Sequence, residues 1–176
     1  MAFKTRIQRP AEAKPWYGEL PVESLYTMGI AGEKFFRTLK DKGKIIGARC
    51  EKCNYVYVPP KMYCERCFES IEKMVDVGLT GTLTSFTLVY TDIDGNPLPK
   101  PEMVGLIQLD GASTNLFHRL GECAMDDLYI DLRVEAVLKP AKQRTGSIND
   151  IKYFKPSKKK RPINRSRKTV DRDRKP

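Results

Sequence analysis

Cys50-Glu-Lys-Cys53 and Cys64-Glu-Arg-Cys67, joined by the ten residues NYVYVPPKMY, decide how this chain folds. Two Cys-x-x-Cys pairs bring four thiols within reach of one tetrahedral ion. Each pair bends around the ion in a tight turn, and the segment between them returns the chain. Zinc favours four sulfur ligands in a closed structural site. The spacing therefore predicts a four-Cys zinc ribbon with Cys50, Cys53, Cys64 and Cys67 as ligands. Iron suits a four-thiolate site of the same shape and stays open as the alternative. A single Cys-x-x-Cys would read as a redox pair, but a redox pair needs no second copy so close. Two disulfides would suit a secreted chain, whereas the first residues (MAFKTRIQRP) show charge and no apolar signal core. A closed site offers no position to water or substrate, so the metal is expected to hold structure. Arg49, Lys52, Lys61 and Arg66 stand close in sequence to offset the surplus thiolate charge.

At 176 residues the chain is one domain or two small ones sharing an interface. Its 40% apolar content supports a modest core, and no apolar run approaches a membrane span. Five cysteines, four assigned to metal, fit a reducing cytoplasm. The net charge of +10 points first to nucleic acid, but its location weakens that. Residues 157–176 carry ten Lys or Arg and two Asp, which leaves 22 basic (32 less 10) and 20 acidic (22 less 2) residues before them. The body is nearly neutral and the excess sits on a basic tail, expected to be disordered by itself. The tail reads equally as a solubility segment or as an arm for RNA, acidic lipid or an acidic partner.

Residues 1–20 read as an extended arm with Trp16 and Tyr17 as anchors. Residues 21–42 read as helical, with Leu25, Met28, Phe35, Phe36 and Leu39 at spacings near three and four. Gly29 and Gly32 interrupt that pattern, which favours two short helices, and Lys40, Lys42 and Gly43 mark a stop. Phe35, Phe36 and Leu39 could pack on the chain's own ribbon, but the ribbon is small. Docking on another subunit is the expectation. Ile45–Arg49 and Tyr55–Val58 are short ribbon strands.

From Gly78 onward the character is β. Strands are expected at Gly81–Tyr90, Met103–Leu109, Asn115–Leu120, Leu132–Leu138 and Ile151–Phe154. Pro97, Pro99 and Pro101 are read as a stiff loop after the Asp94-Gly95-Asn96 turn. Five strands of this size suit a small OB-type barrel. The fold class is thus α+β, mainly β: an N-terminal helical arm (1–44), a zinc ribbon (45–77), an OB-fold barrel (78–156) and a basic tail (157–176).

The run Gly29-Ile-Ala-Gly32-Glu33-Lys34-Phe35-Phe36, the ribbon from Gly47 to Phe68, the Gly81–Thr87 strand and the closing Phe154-Lys155-Pro156 together resemble a known family. It is the zinc-ribbon/OB-fold acyl-CoA-associated family once catalogued as domain of unknown function 35. The resemblance covers roughly residues 16–156 and is sharpest in the ribbon. It implies a helper subunit in a hetero-oligomer with a thiolase-fold enzyme, as in thiolases, acyltransferases and aldolases. The small subunit of benzoylsuccinyl-CoA thiolase is another relative it resembles. The partner would supply the nucleophile, and the barrel would help hold the CoA part of an acyl-CoA thioester. The resemblance carries Cys50, Cys53, Cys64 and Cys67 over as zinc ligands and assigns no CoA-contacting residue.

No catalytic residue is expected in the chain itself. His118 and Cys123 could form a nucleophile pair, but neither sits in a setting that activates a thiol. His118 is read as a strand residue turned to solvent or capping a neighbour, Cys123 as a small apolar filler, and Asp126-Asp127 as a turn or helix start. Arg119, Lys139, Lys142 and Arg144 are the cations near strand ends that could meet CoA phosphates; for any single one, solvated surface is the first reading. The alternative function is a zinc-ribbon/OB-fold nucleic-acid-binding protein, which only the tail supports.

Overall fold

The computed structural model describes residues 27–157. Trp16, Tyr17, the helical reading of 21–26 and the tail from 158 lie outside the described residues. Among the described residues the elements are one helix, α1 (Gly29–Lys42), three ribbon strands, β1 (Ile46–Arg49), β2 (Val56–Tyr57) and β3 (Met74–Asp76), and five longer strands, β4 (Thr80–Thr91), β5 (Pro97–Leu109), β6 (Asn115–Arg119), β7 (Arg133–Leu138) and β8 (Ile151–Pro156). The described α1 is a single helix that runs through Gly32. One glycine costs a helix about 1 kcal/mol, less than its apolar face gains by burial. α1 ends where Gly43 takes a left-handed conformation at φ 61° and returns its N–H to the Leu39 carbonyl, a geometry that glycine adopts freely.

The ribbon strands form a small antiparallel sheet in the order β2-β1-β3. The longer strands form a second sheet in the order β6-β5-β4-β7-β8. Its two ends meet where Leu120 bridges Phe154 in parallel and the Gly121 N–H bonds the Phe154 carbonyl at 2.9 Å. A five-stranded antiparallel sheet closed by a parallel contact is the OB arrangement. β4 bulges at Thr84, which turns the strand around the barrel.

Pro97, Pro99 and Pro101 lie within β5, not in a loop. β6 pairs with β5 only over Val104–Gln108, so the segment before Val104 has an open outer edge. There a missing N–H breaks no ladder. The apolar face of α1 also departs from expectation. Phe35 (1% exposed) and Leu39 do not wait for another subunit. They are buried in one core with Ile107, Val134, Ile151 and Phe154 of the barrel and Ile45 and Val58 of the ribbon. The ribbon alone could not cover them; the barrel does.

Ribbon and barrel are also joined by hydrogen bonds. The turn between β5 and β6 lays Ser113 and Thr114 along β2 like a further strand. Ser113 N–H reaches the Val56 carbonyl at 2.8 Å, and Val56 N–H reaches Ser113 Oγ at 3.1 Å. Val58 N–H donates to Thr114 Oγ1 at 2.7 Å, and that hydroxyl donates back to the Val58 carbonyl at 3.0 Å. At the start of β7, on the strand face opposite the core residue Val134, Arg133 grips both oxygens of Asp110 at 2.7 Å and donates to Thr82 Oγ1 at 2.9 Å, with both ion-pair side chains mostly buried. Among the described residues no helix is long and apolar enough to cross a membrane.

Candidate metal centre and its surroundings

Each Cys-x-x-Cys folds as a knuckle that reverses just past its second cysteine. Asn54 and Phe68 occupy matching positions and share a left-handed backbone, φ 57° and 58°. Asparagine tolerates that region; a phenylalanine there is uncommon. The Cys50 N–H bonds the Tyr55 carbonyl and the Cys64 N–H bonds the Glu69 carbonyl, both at 2.9 Å. The knuckles thereby face each other. Cys50 Sγ lies 3.5 Å from Cys67 Sγ, and Cys53 Sγ lies 3.5 Å from Cys64 Sγ. All four sulfurs fall within 4.8 Å of one another. A tetrahedral ion with metal–sulfur bonds of about 2.3 Å sets its ligands about 3.8 Å apart, so the cluster has the size zinc needs. Cys50 and Cys64 are buried and Cys53 and Cys67 half-buried, and a small core of Ala48, Tyr57 and Ile71 packs beneath them.

Tyr57 belongs to the site, although in the sequence it is an ordinary strand position. Its buried hydroxyl stands 3.3 Å from Cys64 Sγ and accepts the Glu65 N–H at 3.1 Å. The Tyr57 contact draws the Cys64 thiol down to about 6, and the same contact holds the Tyr57 phenol up at about 12. At Cys67 the Glu69 N–H favours thiolate, but desolvation and the Cys64 and Cys50 sulfurs outweigh it and push the thiol up to about 12. Four sulfurs this close cannot all ionise without a cation among them.

The expected countercharges are present but largely engaged. Lys52 pairs with Glu69 at 3.8 Å, Lys61 with Glu65, and Arg49 donates to Asn54 at 3.0 Å. Arg66 stacks 5.1 Å over the Tyr55 ring.

The other singled-out residues do not converge. His118 is not on the surface. It shares the inner face of β6 with Leu116 and Leu120, is 8% exposed, and packs edge-on to Phe154 at 5.7 Å. Its Nε2 faces the Ile148 carbonyl at 3.4 Å, and Nδ1 is buried without a partner. Burial holds this imidazole below its ordinary value. Cys123 lines a shallow cleft with Met103, Leu120 and the Arg119–Glu102 ion pair (3.3 Å). Its thiol is pushed up by burial and then by Asp127, the opposite of activation. Asp126-Asp127 form a 3₁₀ turn. Arg144 braces the end of α1. Its Nε donates to the Lys139 carbonyl at 2.8 Å, and the guanidinium reaches the Lys40 carbonyl at 3.5 Å. Lys142 is exposed and Lys139 half-buried.

Comparison with known proteins gives a consistent picture. A family model described as "ChsH2, rubredoxin-like zinc ribbon domain" matches residues 37–72, and one described as "ChsH2, C-terminal OB-fold domain" matches residues 74–139. Together they span more than half of the chain. A DUF35 domain-containing scaffold protein of Methanocaldococcus jannaschii is 26% identical over 125 residues, covering 69% of this chain and 87% of that protein. The crystal structure of a DUF35 protein of unknown function from Sulfolobus solfataricus superposes with a TM-score of 0.56 at 28% identity, covering 73% of this chain and 87% of the other. A structure described as an Ltp2-ChsH2(DUF35) aldolase gives a TM-score of 0.55 at 21% identity, covering 75% and 98%. That last likeness is one of fold.

Proposed function

We propose that this chain, which belongs to the DUF35 family of zinc-ribbon and OB-fold proteins, is a non-catalytic accessory subunit of a thiolase-type acyl-CoA enzyme complex. Its four ribbon cysteines hold a structural zinc, its body docks on a thiolase-fold enzyme, and its barrel helps hold the CoA part of the substrate. The observation that carries the reading is the closed sulfur cluster. The chain itself supplies all four donors at tetrahedral spacing, so the ion has no position left for a substrate. In this reading the partner supplies the nucleophile, since burial and Asp127 hold the Cys123 thiol in its un-ionised form. Support for a partner comes from the relative described as a scaffold protein and from the fold neighbour described as an aldolase with two named components.

When bound, the zinc would supply folding energy to a segment too small to fold alone. Tyr57 would steady the Cys64 thiolate through its hydroxyl, as an outer hydrogen bond does for a metal ligand. Among the candidate cations for CoA phosphates, Lys139 and Lys142 keep that role, while Arg144 is committed to α1.

The test is co-expression with a thiolase-fold enzyme from the same source. The reading predicts a complex of fixed stoichiometry that turns over an acyl-CoA thioester, and no turnover by this chain alone. Thioester turnover by the isolated chain would overturn it.

A further inference from the structure

The hairpin of β4 and β5 is longer than the barrel needs. β7 pairs with β4 only over Thr80–Thr82, and β6 pairs with β5 only from Val104 onward. Beyond Leu88 and Met103 the sheet is two strands wide and projects as an arm, in which Val89 pairs with Glu102 and Thr91 with Pro97 across a register shift at Tyr90. An isolated two-stranded hairpin is marginal in water. Its turn is nonetheless firmly built: the Asp92 carboxylate accepts the N–H groups of Asp94 at 2.9 Å and Asn96 at 2.8 Å.

The two edges of the arm differ. The β5 edge carries Pro97, Pro99, Lys100 and Pro101, which are the residues that blunt an exposed edge against further pairing. The β4 edge, Phe86-Thr-Leu-Val-Tyr-Thr91, has no proline, no glycine and no charge, and it is rich in β-branched and aromatic residues that favour a strand. Among the described residues, no main-chain hydrogen bond reaches Phe86–Thr91 from anything but β5. Tyr90 is 59% exposed.

We propose that this open β4 edge pairs antiparallel with the same edge of a second copy, making a four-stranded sheet β5-β4-β4-β5 across a two-fold axis. Two observations choose a second copy as the occupant. An uncharged edge meets itself without like-charge repulsion, which a charged edge could not. The proline-blocked outer edges then end the sheet on both sides, so pairing stops at two chains and does not run on into a fibre.

The experiment is sedimentation equilibrium of the full, zinc-loaded chain from about 1 to about 300 µM, the range of a modest interface. The wild type is expected to approach a dimer mass and no higher. Thr87→Lys with Tyr90→Lys places four lysines along the joint and should raise the dimer dissociation constant about tenfold or more. Ile93→Lys, on the fully exposed tip and off the edge, should leave it unchanged. Residue-resolved amide exchange of the wild type reads the same event without a variant: protection on β4 between Phe86 and Thr91 should rise with concentration. A wild type that stays monomeric, a mass that grows past two chains, or a dimer indifferent to the lysine pair would overturn the proposal. Should the lysine variant lose zinc or fold, flat amide protection across the concentration range overturns it equally.

Discussion

Phe35→Ala tests whether α1 belongs to this chain's own core or is a face kept for a partner. Phe35 is 1% exposed and surrounded by barrel and ribbon residues. Truncating a fully buried phenylalanine removes its transfer energy and leaves a cavity, a loss of about 3–5 kcal/mol. For a folded body of this size that lowers Tm by about 10–20 °C. Phe36 supplies the internal control. It is half-buried and only flanks the core, so Phe36→Ala should cost about 1–2 kcal/mol. The rings touch edge-on at 5.2 Å, so the double variant will not be a simple sum. Urea unfolding of the zinc-loaded chain without any partner reads both numbers. The midpoint should fall far more for Phe35→Ala, with the slope unchanged. A loss below about 1 kcal/mol, or equal losses for the two variants, would refute the packing of α1 on the barrel.

Tyr57→Phe deletes the hydroxyl at Cys64 and leaves the Glu65 N–H without its acceptor; zinc release to a chelator should quicken about tenfold while the fold by circular dichroism is kept. Asp110→Ala removes both carboxylate contacts of the half-buried Arg133, leaving its guanidinium the Thr82 hydroxyl, and should cost about 1.5–3 kcal/mol by denaturation, whereas removing both partners together should cost less. Arg144→Ala should lower stability by about 1 kcal/mol through lost support of the α1 terminus, with no change in CoA-thioester affinity of the assembled complex. His118 sets an acid limit. Burial lowers its folded value below the ordinary one near 6.5, so between those values the unfolded chain binds more protons. Stability is therefore full above about pH 6.5 and falls as pH drops toward the folded value. His118→Leu should flatten that part of a stability–pH curve.

The four-cysteine pattern is legible in the sequence because metal chemistry demands a fixed donor count at short spacing, and that information is local. The strands of the barrel are legible for a similar reason: β-branched and aromatic runs declare themselves within a few residues. The apolar face of α1 is equally visible, but periodicity reports that a face is apolar and not what it meets. Its neighbours, such as Ile107 and Phe154, lie far along the chain. The same holds for Arg144 under the end of α1 and for Ser113-Thr114 along β2, contacts between residues more than fifty positions apart. Pro97, Pro99 and Pro101 mislead because proline excludes a paired inner strand but not an open edge, and which edge is open depends on where β6 stops. The burial of His118 does have a local signal: it alternates with Leu116 and Leu120, both apolar.

X-ray absorption at the zinc edge of the full chain, with metal content per chain, tests the central claim most directly. The account predicts one zinc per chain bound by four sulfurs at about 2.3 Å and no nitrogen or oxygen donor. A chain that folds without metal, or a zinc carrying a light-atom ligand at an open position, would contradict it.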